Sequence, residues 1–168
     1  MGTPESKELE MIEPSQFPLL SEVNQLPADE VERIRNLAST AHDFLSSHSW
    51  CTGVQDTRFG DGIGGVVGIF LVQPRYRDAD SPAEWLWVVV GDLPSAYFVV
   101  EDTSGPADAL SIYVQIMEDW AQWVLHGCDK ADDVYPVRAE PTMEHARMLL
   151  SRTRYLADVV VPWMRESR

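Results

Sequence analysis

The sequence predicts an α+β domain: an N-terminal helix, a four-stranded antiparallel meander, and two C-terminal helices packed on the sheet. Three observations carry this. An apolar stripe of helical period follows Pro27, four short β-rich runs joined by turn residues fill the middle, and two more helical stripes follow Pro106 and Thr142. A chain of 168 residues, 45% hydrophobic and 24% charged, is the size and composition of one globular domain, which excludes wholesale disorder.

Residues 1–26 mix acids with Pro4, Pro14 and Pro18 and show no period. They read as a flexible acidic tail or an irregular wrap anchored by Phe17, Leu19 and Leu20, leaving residues 27–168 as the single α+β domain. In the first helix Pro27 suits a first-turn position. Asp29, Glu30 and Glu32 sit where the helix dipole favours negative charge, and Val31, Ile34, Ala38, Ala41 and Leu45 form the buried stripe. Ser46-Ser47-His48-Ser49 ends it.

A first strand is expected from Trp50 to near Phe59, then a glycine-rich turn over residues 60–65, then a second strand from Val66 to Gln73, broken by Pro74. Residues 75–83 read as a polar loop. Trp85–Val90 and Ala96–Glu101 flank Gly91-Asp92-Leu93-Pro94-Ser95 as a hairpin. Both the odd positions (Trp85, Trp87, Val89) and the even ones (Leu86, Val88, Val90) of the third strand are apolar, so both its faces must be covered, by helices on each side or by a second subunit. That strand is expected to be central.

Pro106 opens a helix that is apolar over most of its circumference, and Gly127 suits its left-handed C-terminal position, with His126 in the last turn. A connector over residues 129–138 follows. Thr142 caps the last helix, with Leu149, Thr153, Leu156, Val160 and Trp163 as its buried stripe and Arg147, Ser151, Arg154 and Asp158 as its wet face. Pro162 should loosen the final turn.

Acids outnumber bases 27 to 13, for a net charge of −14. The surplus is uneven. Residues 1–32 hold eight acids and Lys7, and residues 78–133 hold twelve acids and Lys130, while residues 33–77 and 134–168 each carry a net +2. Such a chain is a poor binder of nucleic acid or of anionic membrane, because phosphate contacts need positive surface. No apolar run approaches the length of a membrane span and no secretory signal opens the chain, so a cytoplasmic location is expected, with Cys51 and Cys128 as free thiols.

Motifs for chemistry fail on context. Residues 60–65 satisfy G-x-G-x-x-G, but the fingerprint must open a helix and here a strand follows. His42, His48, His126 and His145 lack zinc-site spacing, and the acid clusters at Asp78, Asp80 and Glu84 and at Asp129, Asp132 and Asp133 lack the pattern of a calcium loop. No catalytic, cofactor or metal residues are assigned.

Two candidate regions remain. The acids Asp92, Glu101, Asp102, Asp129, Asp132 and Asp133 are candidates for contact with a basic protein, since a negative surface captures a positive partner and speeds encounter. Trp85, Trp87, Trp120, Trp123 and Asp119 are candidates for a pocket or interface, the tryptophans otherwise being core. Asp119 lies on an apolar helix and, if buried, needs an arginine, for which Arg147 and Arg154 are suited. The expected function is a non-catalytic binding protein of inhibitor, immunity or adaptor type, as monomer or homodimer. The alternatives are a small-ligand or enzymatic domain whose pocket joins tryptophans to Asp92, Glu101 and Asp119, and a DNA-mimic inhibitor with acids spaced like phosphates.

Overall fold

The computed structural model describes residues 12–64, 66–81, 84–101, 103–127, 137 and 139–167. Helix α1 (Ala28–Ser46) is followed by strands β1 (Cys51–Ile63), β2 (Val67–Tyr76), β3 (Leu86–Gly91) and β4 (Ala96–Val99). Then come α2 (Pro106–Leu125), α3 (Met143–Tyr155), a π turn (Leu156–Val160) and α4 (Val161–Glu166). The sheet runs β1-β2-β3-β4 with every neighbour antiparallel, the meander expected.

Strand periodicity decides the layering. On β2 and β3, Val67, Ile69, Leu71, Trp87 and Val89 point to a core shared with α2, α3 and α4. Phe70, Val72, Leu86, Val88 and Val90 point to a second core under α1. The doubly apolar β3 is thus an inner strand with helices on each side. Burying a Leu, Ile, Val or Phe side chain stabilises by roughly 1.5–3 kcal/mol, so a strand with two dry faces is a large part of what holds the layers together. Around the end of α1, Phe44, His48, Trp50, Tyr76 and Tyr97 pack ring against ring, with centroids 5.1–6.1 Å apart.

Three local expectations need correction. The first strand does not stop near Phe59: it continues to Ile63, paired with β2 across three register shifts. Gly60 lies inside that strand, and it is glycine for want of space: a Cβ there would stand 2.9 Å from the Ile69 carbonyl and 3.1 Å from the Trp87 ring. Pro74 does not end β2. It pairs with Val54, beyond the last β3 partner at Val72, so its missing N–H faces no third strand. Trp163 is not buried. The π turn, in which the Val161 N–H reaches back to the Leu156 carbonyl, adds a residue and hands the buried stripe to Val161 and Met164. Pro162, which has no N–H to offer Asp158, supplies the reason for that turn.

Residues 12–26 wrap across the β1 edge. Phe17 is buried edge-on against Trp87, 5.8 Å between centroids, and Val23 is buried as well. The Phe59 N–H donates to the Pro18 carbonyl at 2.9 Å and the Arg58 guanidinium to the Phe17 carbonyl at 2.8 Å.

Candidate functional site

The β3–β4 turn is built on Gly91, whose φ of +149° and closeness to the Val66 carbonyl leave no room for a side chain. The Val66 carbonyl accepts the Asp92 N–H at 2.9 Å, which sets Asp92 at the tip, exposed. Tyr113 of α2 donates its hydroxyl to the Pro94 carbonyl at 2.6 Å and pins the far side of the turn. Burial pushes that phenol's pKa far up, so it acts as a fixed donor. From the opposite side Arg152 of α3 donates to the Asp92 carbonyl at 3.1 Å.

Between this turn and α3 lies an open groove of about 360 Å³. Its floor is apolar: Leu93, Pro94, Trp120, Met148 and Leu149. Its polar rim is Asp92, Glu140, His145 and Arg152. Thr142 caps α3 by accepting the His145 N–H at 3.2 Å, and the His145 ring Nδ1 lies 3.3 Å from the Glu140 carbonyl. The cap that starts the helix therefore also sets one wall of the groove.

Of the residues singled out from sequence, the structure brings Asp92 and Trp120 together here. Glu101 is exposed at the other end of β4. Asp119 is half-buried and accepts a hydrogen bond from Gln115 at 2.9 Å, one turn back on its own helix. Among the described residues neither Arg147 nor Arg154 pairs with it, because both stand exposed on the outer face of α3. Asp102, Asp129, Asp132, Asp133 and Cys128 lie outside the described residues.

The tryptophans divide. Trp87 and Trp120 are fully buried core residues, with the Trp87 indole N–H donating to Thr103 Oγ1 at 2.9 Å. Trp85 and Trp123 are half-buried, and the Arg58 guanidinium lies 6.0 Å over the Trp85 ring. Glu140, His145, Met148 and Arg152 were missed. Their only sequence signal is position: Glu140 stands two residues before the Thr142 cap, and Met148 and Arg152 share an i,i+4 face beside the buried stripe.

The acidic block is also less uniform than its sum. Asp108 in the first turn of α2 is held ionised: its pKa is lowered first by the Ser104 hydroxyl, which donates at 2.6 Å, and further by the Ser104 amide and by Arg165, 3.3 Å away. Arg165 and Arg152 come from the slightly basic C-terminal block, so the last helices place cations within the acidic surface. Among the described residues no three His, Cys, Asp or Glu side chains group as a metal site would require, and no helix is long and apolar enough to cross a membrane. Comparison with protein-family models, with curated proteins and with solved structures finds no match in any of the three.

Proposed function

We propose that this chain is a non-catalytic binding protein that takes a basic segment of a protein partner at the Asp92–Glu140 groove. The observation that carries the reading is the pairing of an apolar floor with two carboxylate-bearing residues on one rim. A lysine or arginine has that same division, a methylene stem that favours apolar contact and a charged head that seeks carboxylate. The volume suits one or two such side chains rather than a folded surface. The reading as an enzyme asks Asp92, Glu101 and Asp119 to converge, whereas Asp92 and Glu101 lie at opposite ends of β4. The reading as a DNA mimic asks for acids spaced like phosphates on one face, whereas Arg152 lies against Asp92 and Arg165 pairs with Asp108.

The test is calorimetric titration of the protein with an oligolysine peptide at low and at physiological salt. Binding should weaken as salt rises, and the double change Asp92→Asn with Glu140→Gln should weaken it by roughly tenfold. Salt-independent binding, or equal affinity for a serine-substituted peptide, would count against the proposal. So would a double variant that binds like the parent.

A further inference from the structure

Eight large hydrophobic side chains are exposed among the described residues, and five of them fall within residues 143–163. Four of those five, Met148, Tyr155, Val159 and Trp163, recur at steps of seven, four and four along the continuous helical segment 143–166. They therefore share one outward face, and each is about half exposed. The π turn that takes Trp163 out of the core is what brings it onto this face. From these positions we infer that a second copy of this chain packs on the stripe, the two last helices lying antiparallel about a two-fold axis near Tyr155 and Leu156.

Charge identifies the occupant. The block that carries the stripe has a net charge of +2 in a chain of −14, so two copies repel less through it than through the acidic block of residues 78–133. Along one flank of the stripe the order is Arg147, Arg154, Asp158, Glu166. All four are exposed, and among the described residues none of them makes an ion pair. A two-fold axis perpendicular to the helix brings that flank against itself reversed, so Arg154 of each copy meets Asp158 of the other. Met148 of one copy, which also lines the Asp92–Glu140 groove, then faces Trp163 of the other, a favourable sulfur–aromatic pairing. Opposed helix dipoles add to it.

The area sets the strength. Four half-exposed side chains of this size offer on the order of 400 Å² per copy, about half of the ~800 Å² each partner contributes to a standard interface. The dimer is therefore weak and concentration-dependent.

Sedimentation equilibrium of the full chain, from about 1 to about 300 μM, spans the range expected of so small an interface. The average mass should climb from monomer toward dimer. Trp163→Glu and Tyr155→Glu, both at exposed positions, should each weaken association at least tenfold, while Val99→Glu, exposed on the β4 edge, should leave it unchanged. Arg154→Glu should weaken it, and adding Asp158→Arg to that variant should restore it, as a self-facing flank requires. A monomer across the whole range overturns the inference. So does a dimer indifferent to Trp163→Glu, or a charge swap that fails to restore. Capture of a different protein through the stripe by a chain that stays monomeric also overturns it. No basic peptide enters these measurements, so their failure and that of the groove proposal are distinguishable.

Discussion

Thr103→Val should destabilise the protein by about 2 kcal/mol, although it keeps the shape of the side chain. Thr103 is buried and its hydroxyl has two roles: it accepts the Trp87 indole N–H at 2.9 Å and donates to the Val100 carbonyl. The carbonyl keeps a partner when the hydroxyl goes, because the Thr103 N–H also donates to it at 3.2 Å. The indole N–H does not. Trp87 has no exposed surface, and a buried donor left unpaired costs about 1–3 kcal/mol. The extra methyl of valine offsets only part of this. The assay is urea unfolding followed by far-UV circular dichroism, run as a cycle with Trp87→Phe. Phenylalanine has no N–H to strand, so in that background Thr103→Val should cost less than 1 kcal/mol, a coupling of about 1–2 kcal/mol. In heat, the single change should lower Tm by about 4–8 °C for a chain of this size. A cost below about 0.5 kcal/mol, or the same cost in both backgrounds, refutes the assignment of this bond as the partner of the indole, because the orphaning penalty would be absent.

Gly60→Ala should cost about 1–3 kcal/mol by overpacking against the Ile69 carbonyl, Trp87 and Pro106, read as a lower urea midpoint with unchanged slope. Gly91→Ala should cost at least as much, and should also weaken oligolysine binding, since the turn that carries Asp92 must open. His42 has its pKa lowered by burial, against a smaller opposing effect of Asp43, and its Nε2 lies 2.7 Å from Thr57 Oγ1. The unfolded chain therefore binds the proton more readily. His42 costs nothing above its ordinary pKa near 6.5, and stability falls as pH drops below that value toward the folded pKa. Thermal melts across that window should show the slope in the parent and a shallower one in His42→Gln. Asp108 is the reverse case, its pKa lowered by Ser104 and Arg165. Asp108→Asn should therefore reduce stability at neutral pH, and the difference from the parent should shrink below about pH 3.8, where the unfolded carboxylate protonates.

What was legible in the sequence was whatever rests on periodicity. Trp87 and Val89 against Leu86, Val88 and Val90 tell of two dry faces without any tertiary information, and the two cores under β3 follow from that alternation. Gly127 ends α2 in the left-handed region for a reason local to the chain. What was not legible depends on a partner distant in sequence. Gly60 looks like a turn residue until Trp87 and Pro106 are seen to need its space. Trp163 looks like the end of a buried stripe because a constant 3.6-residue period cannot anticipate one π turn, though Pro162 hints that the ladder fails there. The groove was half visible. Asp92 and Trp120 stand out in the sequence, but their meeting with Glu140, His145 and Arg152 is set by how α3 docks on α2 and the β3–β4 turn.

The same geometry limits what the acid surplus can do. Asp92 precedes β4 and Glu101 follows it, so the four residues of that strand stand between them. At about 3.3 Å per residue the strand alone spans roughly 10 Å, beyond the ~8 Å over which exposed charges interact at physiological salt. The two acids therefore act separately on a bound partner, whatever the net charge of the chain. Charge reversal separates this from a diffuse acidic field. If contact is local to the groove, Asp92→Lys should reduce oligolysine affinity by well over tenfold, since it adds a like charge beside Arg152, whereas Glu101→Lys should change it by less than about twofold. Both variants alter the net charge by the same amount. Equal losses in the two would mean that the whole acidic surface, and not the Asp92–Glu140 groove, attracts the peptide.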